Sequence, residues 1–228
     1  MVRINRAEGR SGYWKWQRPK AAVAGQWDAE NGRYKIYSQY RRELSGDDIG
    51  AWFSFDAAAG EQVEVRLGVS FVSIEGARRN LEAELSGKTF DQVRAEAEEK
   101  WNADLSRILV EGGTEEEKTV FYTALYHLLI HPNILQDTDG RYPLMEGDGI
   151  GTVPAGHNRY TVFSLWDTYR NVHQLLSLVY PERQADMLRS MAGMAKEWGW
   201  LPKWELYGRE TFTMEGDPAI PVPSLIHH

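Results

Sequence analysis

The segment from Ser164 to Arg170 reads Ser-Leu-Trp-Asp-Thr-Tyr-Arg and places an aromatic ring beside a carboxylate at the start of a predicted helix. An indole can stack on the apolar face of a sugar ring while a carboxylate accepts two hydroxyls, so Trp166 and Asp167 are candidate sugar-binding residues. Arg170 lies three residues after Asp167, hence on the same helical face. A purely local function also fits these residues, with Ser164 as the helix N-cap and Asp167 paired with Arg170.

A second candidate segment, residues 198–211, carries three tryptophans within seven residues and is flanked by glycine and proline. Binding residues are often found on such loops when a rigid scaffold holds them. In one interpretation Trp204 is a sugar-stacking platform with Glu210 nearby. In the other, the aromatic rings fill the rim of a helical core and Glu210 is solvated. Composition does not separate the two.

Two further groups of residues are candidate metal ligands. Asp137, Asp139 and Asp148 lie in a glycine-rich stretch that could offer oxygens to calcium, but their spacing does not match an EF-hand loop, and a solvated loop is favoured. His127 and His131 have the i, i+4 spacing of some zinc sites, without the glutamate of the zinc-protease motif. Near a helix C-terminus, two histidines more often complement the helix dipole. The chain has no cysteine, which excludes disulfides and cysteine-ligated metals.

Length and charge exclude other classes of function. The 228 residues suit one large domain or two small ones, with 26 basic against 33 acidic side chains and a net charge of −7. Without a basic stripe to neutralise phosphates, we expect no nucleic-acid partner. We also expect no membrane segment, since no apolar run reaches about 18 residues.

The elements that must position these residues begin with a β-rich stretch over the first ~75 residues. Aromatic and aliphatic residues recur in 33–40 and 51–55, and residues 63–71 alternate strictly between apolar and polar. Strict alternation predicts a strand with one buried face. Several short strands with turn signals indicate a piece of a β-sandwich.

Helical spacing replaces the alternation after residue 73. Thr89–Gln92 and Thr114–Glu117 are capping boxes that predict two helix starts, and Pro132 predicts an end. Ser164 is expected to open a further helix with Trp166, Tyr169, Val172, Leu176 and Val179 on its buried face. Pro181 is expected in the first turn of another, whose stripe ends at Trp198. We predict loops for 133–160 and 199–228, and helices alternating with long loops are compatible with a helical toroid.

Four segments, in this order along the chain, resemble glycoside hydrolase family 92, the calcium-dependent exo-α-mannosidases. They are Ser70–Ala77, Phe121–His127, Phe163–Arg170 and Leu201–Ala219, the last including Leu-Pro-x-Trp and Gly-x-Glu-Thr-x-x-Met-x-Gly-Asp-Pro-Ala. The resemblance implies an α+β fold in three parts. Residues 1–75 would be the C-terminal part of an N-terminal β-sandwich, 76–110 a helical linker, and 111–228 the first helices of an (α/α)₆ toroid.

The resemblance also implies an activity, the inverting hydrolysis of terminal α-linked mannose with the help of Ca²⁺. Inversion needs a general acid and a general base on opposite faces of the sugar. The family pattern puts both, and most calcium ligands, downstream, so no catalytic or metal residue is assigned to this chain. The implied substrate-binding residues are Trp166, Asp167, Arg170, Trp204 and Glu210.

Partners and compartment follow from the same resemblance. Mannose-containing glycans are the expected partners, and a secreted or periplasmic location is implied. The sequence departs from the family pattern after Ala219, so we expect a truncated chain that is inactive alone. Two alternatives stay open: a non-catalytic carbohydrate-binding fragment, and another (α/α)₆ glycosidase, such as a trehalase- or glucosidase-like enzyme.

Overall fold

The computed structural model describes residues 58–147 and 149–224, apart from the side chain of Pro223, and the backbone of five short strands before residue 53. The chain divides into two compact units, Met1–Gly68 and Val69–His228, and each is described here by itself. Helices and strands occur together, as the α+β prediction requires. Among the described residues, no helix is long and apolar enough to cross a membrane.

The first unit is built from antiparallel strands. Strand β1 (Val2–Arg3) pairs with β4 (Glu43–Leu44), and β2 (Val23–Asp28) lies between β3 (Arg33–Ile36) and β5 (Ile49–Trp52). Gly25 lies opposite Ile36 on one side and Gly50 on the other. The β character expected for this region is confirmed for these strands, whereas residues 37–40 and 53–55 lie outside the described residues.

The strand predicted for residues 63–71 is wrong. None of these residues is in a strand, and Val65 and Leu67 are 78% and 79% exposed. A strand needs a neighbour to complete its ladder of hydrogen bonds, and no described strand pairs with this stretch. The alternating pattern therefore does not correspond to a buried face in the described structure.

Three helices open the second unit, and the second and third begin where the predicted capping boxes place them. They are α1 (Ile74–Leu85), α2 (Phe90–Leu105) and α3 (Glu115–Ile130). Both capping boxes are confirmed: the backbone N–H of Thr89 donates to Gln92 over 2.8 Å, and that of Thr114 donates to Glu117 over 2.7 Å. Such reciprocal bonds satisfy N–H groups that have no partner inside the helix.

The loop predicted for residues 133–160 is wrong, since this stretch contains two antiparallel strand pairs. Strand β6 (Asn133–Ile134) pairs with β9 (Tyr160–Thr161), and β7 (Arg141–Pro143) pairs with β8 (Ile150–Thr152). Strands of two or three residues are too short to show a period of two, so their pairing, not a sequence pattern, defines them.

The single helix predicted from Ser164 is also wrong. Strand β10 (Phe163–Ser164) leads into one helical turn, α4 (Leu165–Thr168), and a separate helix, α5 (Val172–Val179), follows. The break lies at Asn171, whose φ of −150° is not helical. In α4 the fully buried residue is Leu165, while Trp166, predicted to be buried, is 42% exposed.

Helix α6 (Pro181–Trp198) is the centre of the core. Proline is in its first turn, as predicted, and Gly199 ends it with a φ of 100°, a conformation that glycine adopts without strain. The predicted stripe is confirmed at Met187, Met191 and Met194, which are at most 2% exposed. The buried apolar cluster around them comprises Leu125, Leu129, Met145, Tyr160, Phe163, Leu165, Leu176, Tyr180, Met187, Leu188, Met191, Met194, Ala219 and Val222.

The C-terminal stretch, predicted to be loop, contains β11 (Trp204–Leu206), β12 (Arg209–Glu210) and the short helix α7 (Pro221–Ser224). Strands β10, β11 and β12 form an antiparallel sheet in that order. Tyr207 and Gly208 connect β11 to β12 with φ values of 50° and 84°. Positive φ at both central residues is the mark of a type I′ hairpin turn.

Candidate functional site

The two candidate segments meet in the sheet β10-β11-β12. Ser164 of β10 lies opposite Trp204 of β11, and the backbone N–H of Leu165 donates to the carbonyl of Lys203 over 3.4 Å. Residues on opposite strands that face each other project from the same side of a sheet. Trp166 and Asp167, which follow β10 directly, are therefore anchored to the strand that carries Trp204.

Asp167 is exposed and is oriented by one local contact. Ser164 is the N-cap residue of α4, as predicted, but its side chain makes no bond to the helix backbone. Its hydroxyl donates instead to Oδ2 of Asp167. Within the described residues, Oδ1 of Asp167 has no hydrogen-bond partner. Trp166 beside it is also exposed, so a ring face and a carboxylate oxygen are both accessible.

Arg170 does not form the predicted pair with Asp167 in the described structure. Its Nε donates to the hydroxyl of Tyr169 over 3.2 Å, and its guanidinium lies 5.7 Å from the centre of that ring. The end of the short helix α4 separates the two residues, so the i, i+3 geometry of a continuous helix does not apply. The participation of Arg170 in binding stays a prediction.

Glu210 is buried and 8% exposed, so the alternative in which it is solvated is wrong. Its carboxylate accepts the backbone N–H groups of Lys203, Trp204 and Phe212 over 2.7, 3.0 and 2.9 Å. Its own N–H donates to the carboxylate of Glu146 over 2.6 Å. The side chain thus fixes the backbone on both sides of Trp204 rather than facing a ligand.

Glu205 was missed by the sequence analysis. It is fully buried, and its carboxylate accepts from the hydroxyl of Thr161 over 2.8 Å and from the N–H groups of Val162 and Gly208 over 2.9 and 2.6 Å. Burial raises the pKa of Glu205 above its ordinary value of 4.5, although these bonds and the charge of Arg159 oppose the rise. The sequence Trp-Glu-Leu-Tyr-Gly at 204–208, an alternating stretch followed by a glycine, is the pattern that could have predicted the β11-β12 hairpin.

A buried ion pair supports the same region and was also missed. Arg159 donates two hydrogen bonds to Glu197, over 3.0 and 2.8 Å, and its guanidinium lies 4.6 Å from the centre of the Tyr142 ring. Glu197 also accepts the N–H of Met145 over 2.9 Å. A paired planar contact of this kind fixes geometry as well as charge, and here it joins α6 to two loops.

The acidic and histidine groups considered as metal ligands do not converge. Asp137 accepts from Ser70 and Asn80, both over 2.8 Å, and Asp139 pairs with Arg79 and Arg141. Asp148 lies outside the described residues. His127 is in the last turn of α3, as expected for a residue that complements the helix dipole. No set of three His, Asp or Glu side chains in the described part of the chain could hold a metal ion, so calcium is assigned to no residue here.

Comparison with known sequences identifies relatives of this arrangement. The sequence profile of the glycosyl hydrolase family 92 catalytic domain matches residues 76–224. A protein of Arthroderma benhamiae, described as an uncharacterized secreted glycosidase, is 31% identical over 103 residues, which are 42% of this chain and 13% of that protein.

Comparison with solved structures gives the same family. A family GH92 α-mannosidase from Bacteroides thetaiotaomicron is 36% identical, with a TM-score of 0.73 over 88% of this chain and 27% of that one. Its complex with mannoimidazole gives a TM-score of 0.72. A family GH92 inverting mannosidase from Bacteroides thetaiotaomicron VPI-5482 is 26% identical, with a TM-score of 0.71 over 87% of this chain and 26% of that one.

The chain spans about a quarter of the length of these mannosidases. The match to the catalytic-domain profile nevertheless extends from residue 76 to residue 224 and includes the sheet that joins Trp166 and Asp167 to Trp204. Since that match covers more than half of the 228 residues, the chain belongs to glycosyl hydrolase family 92.

Proposed function

We propose that this chain contributes part of the mannose-binding site to an inverting, calcium-dependent exo-α-mannosidase that acts on terminal α-linked mannose of glycans. One observation carries the proposal: an exposed Trp166–Asp167 pair closely follows Ser164, which lies opposite Trp204 in the sheet, within the region that matches a glycosidase catalytic domain. The likeness to two mannosidases, one of them inverting, supports mannose as the sugar.

Each predicted site residue has a proposed function that fits its surroundings. Trp166 stacks on the apolar face of the sugar, and Asp167 accepts its hydroxyls through the oxygen that Ser164 leaves free. Trp204 provides a second aromatic wall, and the exposed Arg170 lies at the rim. Glu210 acts indirectly, because its oxygens accept hydrogen bonds from the backbone N–H groups of Lys203 and Trp204.

The general acid and general base are proposed to lie outside these 228 residues. Inverting glycosidases need two carboxyl groups about 6.5–9.5 Å apart, with a water and the sugar between them. The buried carboxylates of the described residues are each engaged by hydrogen bonds: Asp137, Asp186, Glu205 and Glu210. We therefore propose that the chain alone is inactive, and that most calcium ligands also lie elsewhere.

The domain arrangement and compartment belong to the same proposal. We assign residues 1–75 to the end of a β-sandwich, 76–110 to a helical linker and 111–228 to the start of an (α/α)₆ toroid. The strands of the first unit and the helices of the second support this order. Export is proposed because the related protein of Arthroderma benhamiae is described as a secreted glycosidase.

The test is mannose release from α-1,2- and α-1,3-mannobiose, with calcium and with a chelator. The 228-residue chain is assayed beside the protein expressed from an extended reading frame, and the anomer first released is identified by proton NMR. We expect β-mannose from the extended protein only, and no release with chelator. Mannose release by the 228-residue chain would place the acid and base within it and overturn their proposed location.

A second candidate function is a non-catalytic carbohydrate-binding protein. Two observations favour this function. Trp166 and Asp167 are exposed, and the buried carboxylates of the described residues are all hydrogen-bonded within the protein. Titration of the 228-residue chain with mannose separates the two proposals. If the protein is a binding module, the 228-residue chain alone should bind mannose. If it holds only part of a catalytic site, the chain alone should not bind mannose.

A further inference from the structure

The chain turns sharply between two strands at a single residue, Val162. Strand β9 ends at Thr161 and pairs with β6, whereas β10 begins at Phe163 and pairs with β11. Val162, between them, has a φ of 65°. A β-branched residue rarely adopts this left-handed conformation, which persists only where surrounding contacts impose it.

The carboxylate of Glu205 supplies those contacts. It accepts the N–H of Val162 over 2.9 Å and the hydroxyl of Thr161 over 2.8 Å. The same Thr161 hydroxyl accepts the N–H of Tyr207 over 2.9 Å, and Glu205 accepts the N–H of Gly208 over 2.6 Å. One buried side chain thus connects the strand exchange at Val162 to the hairpin turn that follows its own strand.

Burying a carboxylate is unfavourable unless its oxygens are hydrogen-bonded, and an apolar side chain would fill the same space without that cost. Glu205 lies opposite Phe163 in the sheet, and both side chains are completely buried. An acid in this environment indicates a requirement for the hydrogen bonds that it makes. One of those bonds goes to the backbone N–H of Val162, four residues before Trp166.

We propose that Glu205 is a positioning residue for mannose binding, which fixes the turn at Val162 and thereby the placement of Trp166 and Asp167 relative to Trp204. This inference rests on the proposed function. The connection is short and stiff, because Phe163 and Leu165 are fully buried and Ser164 is paired with Trp204. A shift at Val162 is therefore transmitted to Trp166 and Asp167.

The test substitution is Glu205→Gln, which preserves shape but replaces one acceptor oxygen with an NH₂ group. In either orientation of the amide, a backbone N–H of Val162 or Gly208 then faces another donor. In the extended protein, we expect KM to rise about tenfold while kcat changes by less than about twofold. This is the result expected when a substitution weakens binding of the substrate and the transition state equally. A lower melting temperature with unchanged KM would overturn the proposal.

Two further variants separate positioning from stability. Asp186→Asn is the matched control, since Asp186 is also buried and accepts a backbone N–H, that of Asn158, over 2.9 Å. We expect it to lower the melting temperature without raising KM. Val162→Gly in the Glu205→Gln background should recover part of the affinity, because glycine adopts positive φ without the carboxylate. Failure of this recovery would contradict the assigned mechanism.

A measurement without substrate keeps the inference separate from the proposed function. With 5-fluorotryptophan in the protein, Trp166→Phe and Trp204→Phe identify the two ¹⁹F resonances. We expect Glu205→Gln to shift both, and Asp186→Asn to shift neither. Unshifted resonances in Glu205→Gln would overturn the positioning role. Shifted resonances, together with no mannose release by the extended protein, would support the positioning role and refute the proposed function.

Discussion

The carboxylate of Glu210 accepts the backbone N–H of Trp204 over 3.0 Å and, through its other oxygen, the N–H of Lys203 over 2.7 Å. A third N–H, from Phe212, reaches the same carboxylate over 2.9 Å. Glu210, predicted as a substrate-binding residue, therefore acts on backbone geometry. It holds the start of β11, which carries Trp204, in a defined position next to β10.

The first prediction concerns Glu210→Gln. The amide turns one of its two oxygens into a donor that faces a backbone N–H, so we expect a loss of about 1–3 kcal/mol in the free energy of unfolding, measured by urea denaturation. In the extended protein, both limbs of the pH dependence of kcat should remain, because Glu210 transfers no proton. The disappearance of one limb in the variant would instead identify Glu210 as the acid or base.

The second prediction concerns Asp167→Ala. Asp167 is exposed and, among the residues that the structure describes, Ser164 alone bonds to its carboxylate, so removal should leave the melting temperature within about 2 °C. In the extended protein, loss of its bonds to sugar hydroxyls should lower kcat/KM for mannobiose about 10- to 100-fold. Glu84→Gln, at an exposed position of α1, is the control and should change neither quantity. Full activity in Asp167→Ala would remove this residue from the site.

The third prediction concerns the buried pair of Arg159 and Glu197, whose side chains are 4% and 11% exposed. Glu197→Gln leaves a buried guanidinium without its counter-charge and should destabilise the protein by about 3–5 kcal/mol. Arg159→Met with Glu197→Met should cost less than the sum of the single changes, which a double-mutant cycle measures. Additive effects would mean that the pair is not coupled.

A surface pair serves as the control for that cycle. Lys118 and Glu115 are 2.9 Å apart, with side chains 33% and 90% exposed. Solvent screens such a pair, so Lys118→Gln should change the free energy of unfolding by less than about 1 kcal/mol.

The features that the sequence predicted correctly are local ones. The capping boxes at Thr89 and Thr114 and the buried stripe of α6 depend on residues three or four apart, so their spacing can be recognised in the sequence alone.

The fourth prediction concerns the capping box at Thr89. Thr89→Ala should lower the free energy of unfolding by about 1 kcal/mol, whereas Thr119→Ala, inside α3, should cost less because alanine favours helix interiors. Equal losses would show that the cap contributes nothing specific.

The features that sequence reasoning missed depend on pairing between distant residues. Phe163 and Glu205 lie opposite each other in the sheet although 41 residues separate them, and strands this short have no readable period. The same pairing redirects the chain after Ser164, so Trp166 is exposed where a continuous helix would have buried it. The identity of the candidate residues was readable, whereas the sheet that joins them was not.

The last prediction concerns His173, which is fully buried. Its Nε2 lies 2.9 Å from the hydroxyl of Thr168, and its Nδ1 lies 3.1 Å from Oε1 of Gln184. Thr168 is the residue that follows Asp167 in the sequence. Burial lowers the pKa of His173 below its ordinary value of 6.5, and the hydrogen bond to Gln184 opposes this effect. The folded protein therefore resists protonation at this ring more than the unfolded chain does.

The sign of the pH dependence follows from that difference. Above pH 6.5 neither state binds a proton at His173, and the stability of the neutral, hydrogen-bonded ring is fully present. As the pH falls through 6.5 towards the folded-state pKa, the unfolded chain gains the proton first and the free energy of unfolding decreases. We expect wild type to lose more stability than His173→Gln between about pH 8 and pH 5, as urea denaturation at each pH measures. Parallel losses would mean that the ring of His173 has the same pKa in both states, and that its protonation does not contribute to the pH dependence of the free energy of unfolding.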